Sequence, residues 1–238
     1  MAIKYIFFDL GDTLINMSIS KKALYLGLKS VLPIKSVTDE LVLKWEKESY
    51  KTFEYYYRKG EFYTVKQLQS MSLKNVLLRY DIDLPEPKLR NAVNEFWRYF
   101  IKNCQLYEDV IPILSKLIDN EYELGLITNA DEENVIRVLK QHNLKNIFKT
   151  KIISSEFRSY KPDLLLFEKA LELTKCLPEE AIYVGDSAVD IYGAKKLGMI
   201  TVLINGIKTT QNKRLEIEPD FWIGDLQRLP EIIEKNEI

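Results

Sequence analysis

The sequence predicts an α/β protein with a doubly wound, mainly parallel β-sheet and a helical insert after the first strand. Two observations lead to this prediction. Short, continuously apolar runs alternate with amphipathic helical patterns along most of the chain, which is the order of βαβ units. By contrast, residues 16–103 carry helical patterns and no convincing strand. We therefore expect a core domain of residues 1–15 and 104–238 and a helical cap domain of residues 16–103.

The apolar runs lack polar alternation, as expected for strands that are buried on both faces of a sheet. They are Ile3–Phe8, Glu123–Thr128, Lys151–Ser154, Ala181–Gly185 and Ile200–Ile204. The helical patterns that follow them in the core are Asp109–Asn120, Asp131–Gln141, Asp163–Thr174 and Val189–Leu197. A last strand and helix are predicted at Phe221–Ile223 and Asp225–Lys235.

The predicted cap contains four amphipathic patterns, in which apolar residues recur at helical spacing. They cover Leu24–Leu32, Val42–Tyr56, Leu73–Tyr80 and Leu89–Phe100, and the third begins near Thr64. An all-helical insert directly after the first strand accounts for this part of the chain.

Composition argues against nucleic-acid and membrane partners. The 238 residues include 34 basic and 35 acidic side chains, for a formal net charge of −1, and no polybasic tract stands out. Hydrophobic residues make up 46% of the chain, but no apolar run is long enough to cross a bilayer. We expect a globular protein that exists as a monomer or a homodimer.

Cysteine usage predicts a reducing compartment. Cys104 and Cys176 are isolated from each other and form no CxxC motif, so two buried thiols are expected. The first residues pass straight into an apolar run with no small-residue cleavage site, so no signal peptide is expected. Together these features predict a cytoplasmic location.

Polar residues follow several predicted strands at the point where each strand ends. Asp9 ends the first run, Thr128 ends the second, and Asp186 ends the run AIYVGD. Ligands of open parallel sheets bind outside the carboxyl ends of the strands, so these side chains are expected to share one crevice. Asp190 follows Asp186 by about one helical turn, and Lys161 lies in a loop that could reach the same crevice.

Three crowded carboxylates repel one another unless a cation lies among them. Oxygen ligands of this type suit Mg²⁺, which usually takes one or two carboxylates, waters and a substrate phosphate. A lysine and a threonine hydroxyl suit phosphoryl oxygens, and a carboxylate at a strand end can act as a nucleophile. The residues therefore predict a site for phosphoryl chemistry.

The chain resembles the haloacid dehalogenase superfamily of hydrolases, in the branch whose helical cap follows the first strand. The segments FFDLGDTL, LITN, YKPD and GDSAVD match its four motifs in the expected order. The resemblance implies a Rossmann-like core and a Mg²⁺-dependent hydrolysis of a small phosphorylated metabolite, a phosphomonoester, through an aspartyl-phosphate.

The resemblance also implies the role of each motif residue. Asp9 would be the nucleophile, and Ser187 would lie near the site. Phosphoryl binding would fall to Thr128, Asn129 and Lys161, of which Thr128 and Lys161 would contribute to catalysis. The Mg²⁺ ligands would be Asp9, the Gly11 backbone carbonyl, Asp186 and Asp190.

One departure from the family pattern falls in the first motif. Phosphatases of the superfamily typically read Asp-x-Asp-Gly-Thr, and the second acid protonates the leaving group. This chain has Gly11 there, and the acid is one step further on, at Asp12. We hypothesise that Asp12 partly substitutes as the catalytic acid and base, or that the enzyme favours leaving groups that need little protonation, such as acyl or aryl phosphates.

Two alternatives remain open at the level of sequence. A 2-haloacid dehalogenase would use Asp9 on carbon without a metal, but its fourth motif lacks the acids that this chain has at Asp186 and Asp190. A catalytically weakened binding or regulatory protein with the same fold is the second alternative. The intact fourth motif favours the phosphatase.

Overall fold

A computed structural model of the chain describes residues 2–204 and 217–236. These residues divide into two compact units. The sheet unit comprises Met1–Asn16, Gln105–Glu132 and His142–Ile238. The helical unit comprises Met17–Cys104 and Glu133–Gln141.

The described strands and helices alternate through most of the chain. The strands are β1 (Tyr5–Phe8), β2 (Ile15–Asn16), β3 (Gln105–Leu106), β4 (Glu123–Thr128), β5 (Thr150–Ile153), β6 (Ala181–Gly185), β7 (Ile200–Ile204) and β8 (Phe221–Ile223). The helices are α1 (Ser20–Lys29), α2 (Asp39–Arg58), α3 (Val65–Leu78), α4 (Glu86–Asn103), α5 (Val110–Asp119), α6 (Glu132–Gln141), α7 (Ser154–Phe157), α8 (Leu164–Thr174), α9 (Ala188–Lys196) and α10 (Leu229–Asn236). None of these helices is both long and apolar enough to cross a bilayer.

Six strands form one sheet in the order β5-β4-β1-β6-β7-β8, and every described pairing in it is parallel. The predicted α/β fold with a doubly wound, mainly parallel sheet is therefore confirmed. Strands β1 and β6 are buried at every position, because a parallel sheet is covered on both faces. Because both strands have continuous apolar sequences, they could be predicted as buried strands from the sequence.

A second, two-stranded sheet pairs β2 with β3 antiparallel. The sequence prediction missed it because two-residue strands carry no periodicity. Asn16, which the prediction assigned to the cap, lies in β2 and belongs to the sheet unit. This ladder brings together the two ends of the segment Met17–Cys104, where the chain leaves and re-enters the sheet unit.

The helical unit contains the four helices predicted for the insert. Thr38 caps α2 by accepting a hydrogen bond from Leu41 N at 3.2 Å, and Thr64 caps α3 in a reciprocal pair with Gln67. Trp45 is fully buried, and its indole N–H is shared between Ser72 Oγ and a backbone carbonyl. The buried indole is therefore satisfied within the core of this unit.

Helices α1 and α4 approach closely at Gly27. A Cβ added to Gly27 would lie 2.6 Å from the carbonyl oxygen of Ala92. A residue without a side chain is therefore required for the observed packing of α1 on α4.

Helix α6 differs from its predicted assignment. The sequence placed these residues in the core domain, whereas the structure groups Glu133–Gln141 with the helical unit. Cys104, predicted as the first residue of the second core segment, also groups with the helical unit. The proposed boundaries of 1–15, 104–238 and 16–103 otherwise remain a prediction. The short helix α7, which starts inside the predicted run Lys151–Ser154, was also not predicted.

Candidate active site

Three neighbouring strands of the sheet end at the polar residues singled out by the sequence. Asp9 follows β1, Thr128 is the last residue of β4, and Asp186 follows β6. Strand β1 lies between β4 and β6, so these three residues come from one edge of three adjacent strands. The backbone N–H of Asp9 donates to the carbonyl of Val184 at 2.9 Å, which extends the β1–β6 pairing to Asp9 itself.

Lys161 lies at the centre of the site and is 2% exposed. Its Nζ lies 2.5 Å from Asp9 Oδ1 and 2.6 Å from Asp190 Oδ1. It also lies 3.0 Å from the backbone carbonyl of Ile127. A buried ammonium needs counter-charges, and the two carboxylates supply them from the ends of different elements.

Asn129 holds the backbone of Lys161 in place. The Lys161 N–H donates to Asn129 Oδ1 at 2.7 Å, and Asn129 Nδ2 donates to the Lys161 carbonyl at 3.1 Å. In this structure the Asn129 amide therefore positions Lys161. The phosphate-binding role expected for Asn129 remains a prediction.

Asp190 lies in the first turn of α9 and is fully engaged by protein donors. Its Oδ2 accepts hydrogen bonds from the Ser187 N–H and the Ser187 hydroxyl. Its Oδ1 accepts from Lys161 Nζ and lies 2.9 Å from the hydroxyl of Tyr183. Because each carboxylate oxygen offers about two lone-pair sites, these contacts occupy both oxygens.

Tyr183 is a site residue that the sequence analysis missed. It occupies the middle of β6, is fully buried, and its hydroxyl lies within hydrogen-bonding distance of Lys161 and Asp190. Burial, together with the charges of Asp190 and Asp9, raises the pKa of Tyr183 well above its ordinary value. The only sequence signal was a hydroxyl-bearing residue three positions before Asp186, inside an otherwise apolar run.

Burial and mutual repulsion disfavour the charged forms of Asp9 and Asp186. Burial raises the pKa of Asp9 to about 6 against the opposing effect of Lys161. Burial, and then the carboxylates of Asp190, Asp9 and Asp12, raises the pKa of Asp186 to about 8. Burial lowers the pKa of Lys161, but Asp190 and Asp9 more than offset this and leave it raised. One buried lysine does not neutralise this group of acids, so a further cation would stabilise their charged forms.

The same acids fit a divalent cation. Carboxylate oxygens of Asp9, Asp186 and Asp190 all lie within 4.8 Å of one another. Oxygen donors in this number suit Mg²⁺, which combines a few carboxylates with waters and substrate oxygens. The backbone at Gly11 pairs with Ile15 in an isolated bridge, which fixes the chain directly after Asp9.

Asp12 has an unusual backbone conformation. Its φ is 54°, in the left-handed region that favours glycine, whereas the backbone at Gly11 is not left-handed. Asp12 Oδ1 accepts a hydrogen bond from the hydroxyl of Tyr107 at 3.3 Å. The transposed acid is thus held by Tyr107, and its role as a catalytic acid and base remains a prediction.

Comparison with known proteins places the chain among relatives of similar length. A glyceraldehyde 3-phosphate phosphatase of Methanopyrus kandleri is 29% identical over 238 residues, with 97% of each chain covered. The pyrophosphatase PpaX of Halalkalibacterium halodurans is 23% identical, with 98% of each chain covered.

Solved structures share the fold. Magnesium-bound YfnB from Bacillus subtilis superimposes with a TM-score of 0.81 at 19% identity, covering 98% of this chain and 100% of that one. The L-2-haloacid dehalogenase from Xanthobacter autotrophicus gives 0.74 at 16% identity, covering 98% of each. A family model described as haloacid dehalogenase-like hydrolase matches residues 6–204. The strand-end acids, the buried lysine between them and this match over most of the chain lead to one conclusion: the protein belongs to the haloacid dehalogenase-like hydrolase family.

Proposed function

We propose that the protein is a Mg²⁺-dependent phosphatase that hydrolyses a small phosphorylated metabolite through an aspartyl-phosphate on Asp9. The observation that carries this proposal is the placement of Lys161 Nζ between Asp9 and Asp190, with Asp186 beside them. The phosphatase and pyrophosphatase names of the relatives support the same reaction class.

Asp9 is the proposed nucleophile. One carboxylate oxygen attacks the phosphorus, a P–O bond to Asp9 forms, and the P–O bond to the leaving group breaks. Water then attacks the phosphorus, which releases inorganic phosphate and restores the carboxylate. Lys161 neutralises charge at Asp9 Oδ1 and, with Thr128, is proposed to bind the oxygens of the transferred group.

The proposed metal ligands are Asp9, the Gly11 backbone carbonyl and Asp186, with Asp190 contributing to the same cluster. Bound Mg²⁺ would neutralise phosphoryl charge and orient the substrate. Because protein donors already occupy both oxygens of Asp190, its main contribution is to hold Lys161.

The leaving group is the proposed basis of substrate preference. An acid that is positioned to protonate the leaving group typically contributes about 10²–10⁴ in rate. The chain has Gly11 where the family places this acid, and Tyr107 holds Asp12. The leaving groups of phosphoanhydrides, acyl phosphates and aryl phosphates depart with little protonation. We therefore expect these substrates to react faster than alkyl phosphates.

A phosphate-release screen tests the proposed function. Phosphorylated metabolites, including alkyl esters and phosphoanhydrides, are assayed with Mg²⁺ and with excess chelator, and Asp9→Asn serves as the blank. We expect release that requires Mg²⁺ and disappears in Asp9→Asn. Release that persists equally in the blank would refute the role of Asp9.

The dehalogenase alternative has less support, because Asp186 and Asp190 complete an acidic cluster with Asp9. Chloride release from 2-chloropropionate that is unaffected by chelator would favour it. No turnover of either substrate class would favour the non-enzymatic alternative. A cytoplasmic location is proposed because Cys104 and Cys176 are buried and form no disulfide.

A further inference from the structure

Tyr183 makes polar contacts that its place in the sheet does not require. Its hydroxyl lies 3.0 Å from Lys161 Nζ, 2.9 Å from Asp190 Oδ1 and 3.1 Å from the carbonyl of Ile127. All three partners are buried, and two of them belong to the candidate site. One hydroxyl therefore lies against both the cation and an anion of the site.

The number of protons indicates how these contacts are arranged. Lys161 has three N–H donors and lies within hydrogen-bonding distance of four acceptors, namely Asp9, Asp190, the Ile127 carbonyl and the Tyr183 hydroxyl. Every donor is used when Lys161 donates to both acids and to Tyr183, and Tyr183 donates to Asp190 Oδ1. In this arrangement the Tyr183 hydroxyl accepts the third N–H of Lys161, so three hydrogen bonds fix the position of Nζ.

The ring of Tyr183 is itself held in place. Phe167 packs against it edge to face, with ring centroids 5.2 Å apart. Gly193, on the same helix as Asp190, leaves room for Phe167, since an added Cβ would lie 2.0 Å from that ring. Helices α8 and α9 thus set the position of the hydroxyl against the sheet.

We propose that Tyr183 is a positioning residue of the site, whose hydroxyl holds Lys161 Nζ and Asp190 Oδ1 in the arrangement needed for phosphoryl transfer. This inference rests on the proposed function. Tyr183 acts through Lys161, whose ammonium is paired with the proposed nucleophile Asp9. Misplacement of such a charge affects the transition state more than the bound substrate.

The test compares Tyr183→Phe with Tyr5→Phe. Tyr5 is also buried, lies on the neighbouring strand β1 in the same core, and its hydroxyl contacts Thr150 at 3.2 Å. Both variants lose one buried hydroxyl, so both measure the structural cost. Tyr183→Phe should fold, because the Ile127 carbonyl remains as an acceptor for the third proton of Lys161.

Steady-state kinetics with Mg²⁺ supply the first readout. For Tyr183→Phe we expect kcat to fall about tenfold, with KM changed by less than about twofold. Tyr5→Phe should retain the kcat of the wild-type protein. A kcat for Tyr183→Phe equal to that of Tyr5→Phe would overturn the inference.

Calorimetry supplies a readout that does not need turnover. Orthovanadate mimics the transferring phosphoryl group, and we expect its Kd in the presence of Mg²⁺ to rise about tenfold in Tyr183→Phe. The Kd of Mg²⁺ alone should stay within about threefold of that of the wild-type protein. Equal loss of Mg²⁺ and vanadate binding would indicate general disruption and refute a positioning role.

The two proposals fail in different ways. A wild-type protein without phosphatase activity refutes the proposed function, and the vanadate comparison then still decides the role of Tyr183. An active wild-type protein with an unaffected Tyr183→Phe variant refutes the role of Tyr183 alone.

Discussion

At the scale of single residues, the first motif has the acid proposed to capture the phosphoryl group but lacks, at Gly11, the acid that usually protonates the leaving group in this family. Asp9, the proposed nucleophile, is buried and paired with Lys161. Asp12 adopts a left-handed φ of 54° and bonds to Tyr107, whereas Gly11 has no side chain to offer a proton. Phosphoryl capture and leaving-group protonation are therefore expected to respond differently to mutation.

Gly11→Asp is expected to raise the hydrolysis of alkyl phosphates by about tenfold or more and to leave that of aryl phosphates unchanged, because only alkoxide leaving groups need the proton. The backbone at Gly11 is not left-handed, so aspartate fits there without the strain of a positive φ. Initial rates on an alkyl and an aryl ester give the measurement.

Asp12→Asn is the matched variant, since asparagine tolerates the left-handed conformation but carries no acid. If Asp12 partly substitutes for the missing acid, this variant loses alkyl-ester activity selectively. A wild-type protein that hydrolyses alkyl esters as fast as Gly11→Asp does would show that the missing acid is not limiting.

At the scale of secondary structure elements, two contacts fix neighbouring elements together. In the helical unit, α1 packs on α4 where Gly27 meets the Ala92 carbonyl. In the sheet unit, Asp220 precedes β8 and accepts hydrogen bonds from the N–H and hydroxyl of Thr201 in β7. Both contacts can be tested by their effect on the free energy of unfolding.

Gly27→Ala is expected to lower the free energy of unfolding by about 1–3 kcal/mol, because the new methyl group overlaps a backbone carbonyl that cannot move freely. Denaturant unfolding measures the change. Gly224→Ala is the control, since a Cβ there meets nothing within 4 Å. Equal effects of the two substitutions would contradict the role assigned to the close approach.

Asp220 is expected to make stability depend on acid pH. Burial acts to raise its pKa, but hydrogen bonds from Lys195 and Thr201 outweigh this and lower it. A carboxyl with a lowered folded-state pKa stabilises the fold above its ordinary pKa of about 4, and this contribution is lost as the pH falls below that value.

The measurement is the free energy of unfolding between about pH 5 and pH 2.5. Asp220→Asn should be less stable at pH 5 and should show a smaller loss on acidification. An unchanged slope in this variant would show that other carboxyls cause the acid sensitivity.

At the scale of the whole molecule, the long helical segment Met17–Cys104 leaves and re-enters the sheet unit beside one small ladder. Strand β2 ends at Asn16, β3 begins at Gln105, and the two strands pair with each other. The two ends of the long helical segment are thus joined within the sheet unit, which is a favourable geometry for an inserted domain.

Mg²⁺ is expected to raise the midpoint of thermal unfolding. A ligand at 100 times its Kd adds about 2.7 kcal/mol to the free energy of unfolding when it binds only the folded state. Asp186→Asn should abolish the shift, because Asp186 belongs to the acidic cluster. Calorimetric scans in Mg²⁺ and in KCl of equal ionic strength separate binding from screening, and equal shifts in both salts would refute a specific site.

The sequence by itself determined the main strands and helices and the end of the sheet where the candidate site lies. Buried parallel strands need continuous apolar runs, so β1, β4 and β6 could be recognised without knowledge of their neighbours. Asp9, Thr128 and Asp186 were recognised because polar side chains at strand ends interrupt that pattern.

Only the tertiary structure decided which groups meet. The order of strands puts β1 between β4 and β6, and no local pattern encodes that order. The contacts of Lys161 with Asp9 and Asp190 span 152 and 29 residues of sequence. Tyr183 looked like an ordinary strand residue because its apolar run predicts a buried strand, whereas the partners of its hydroxyl come from elements that only the folded chain brings together.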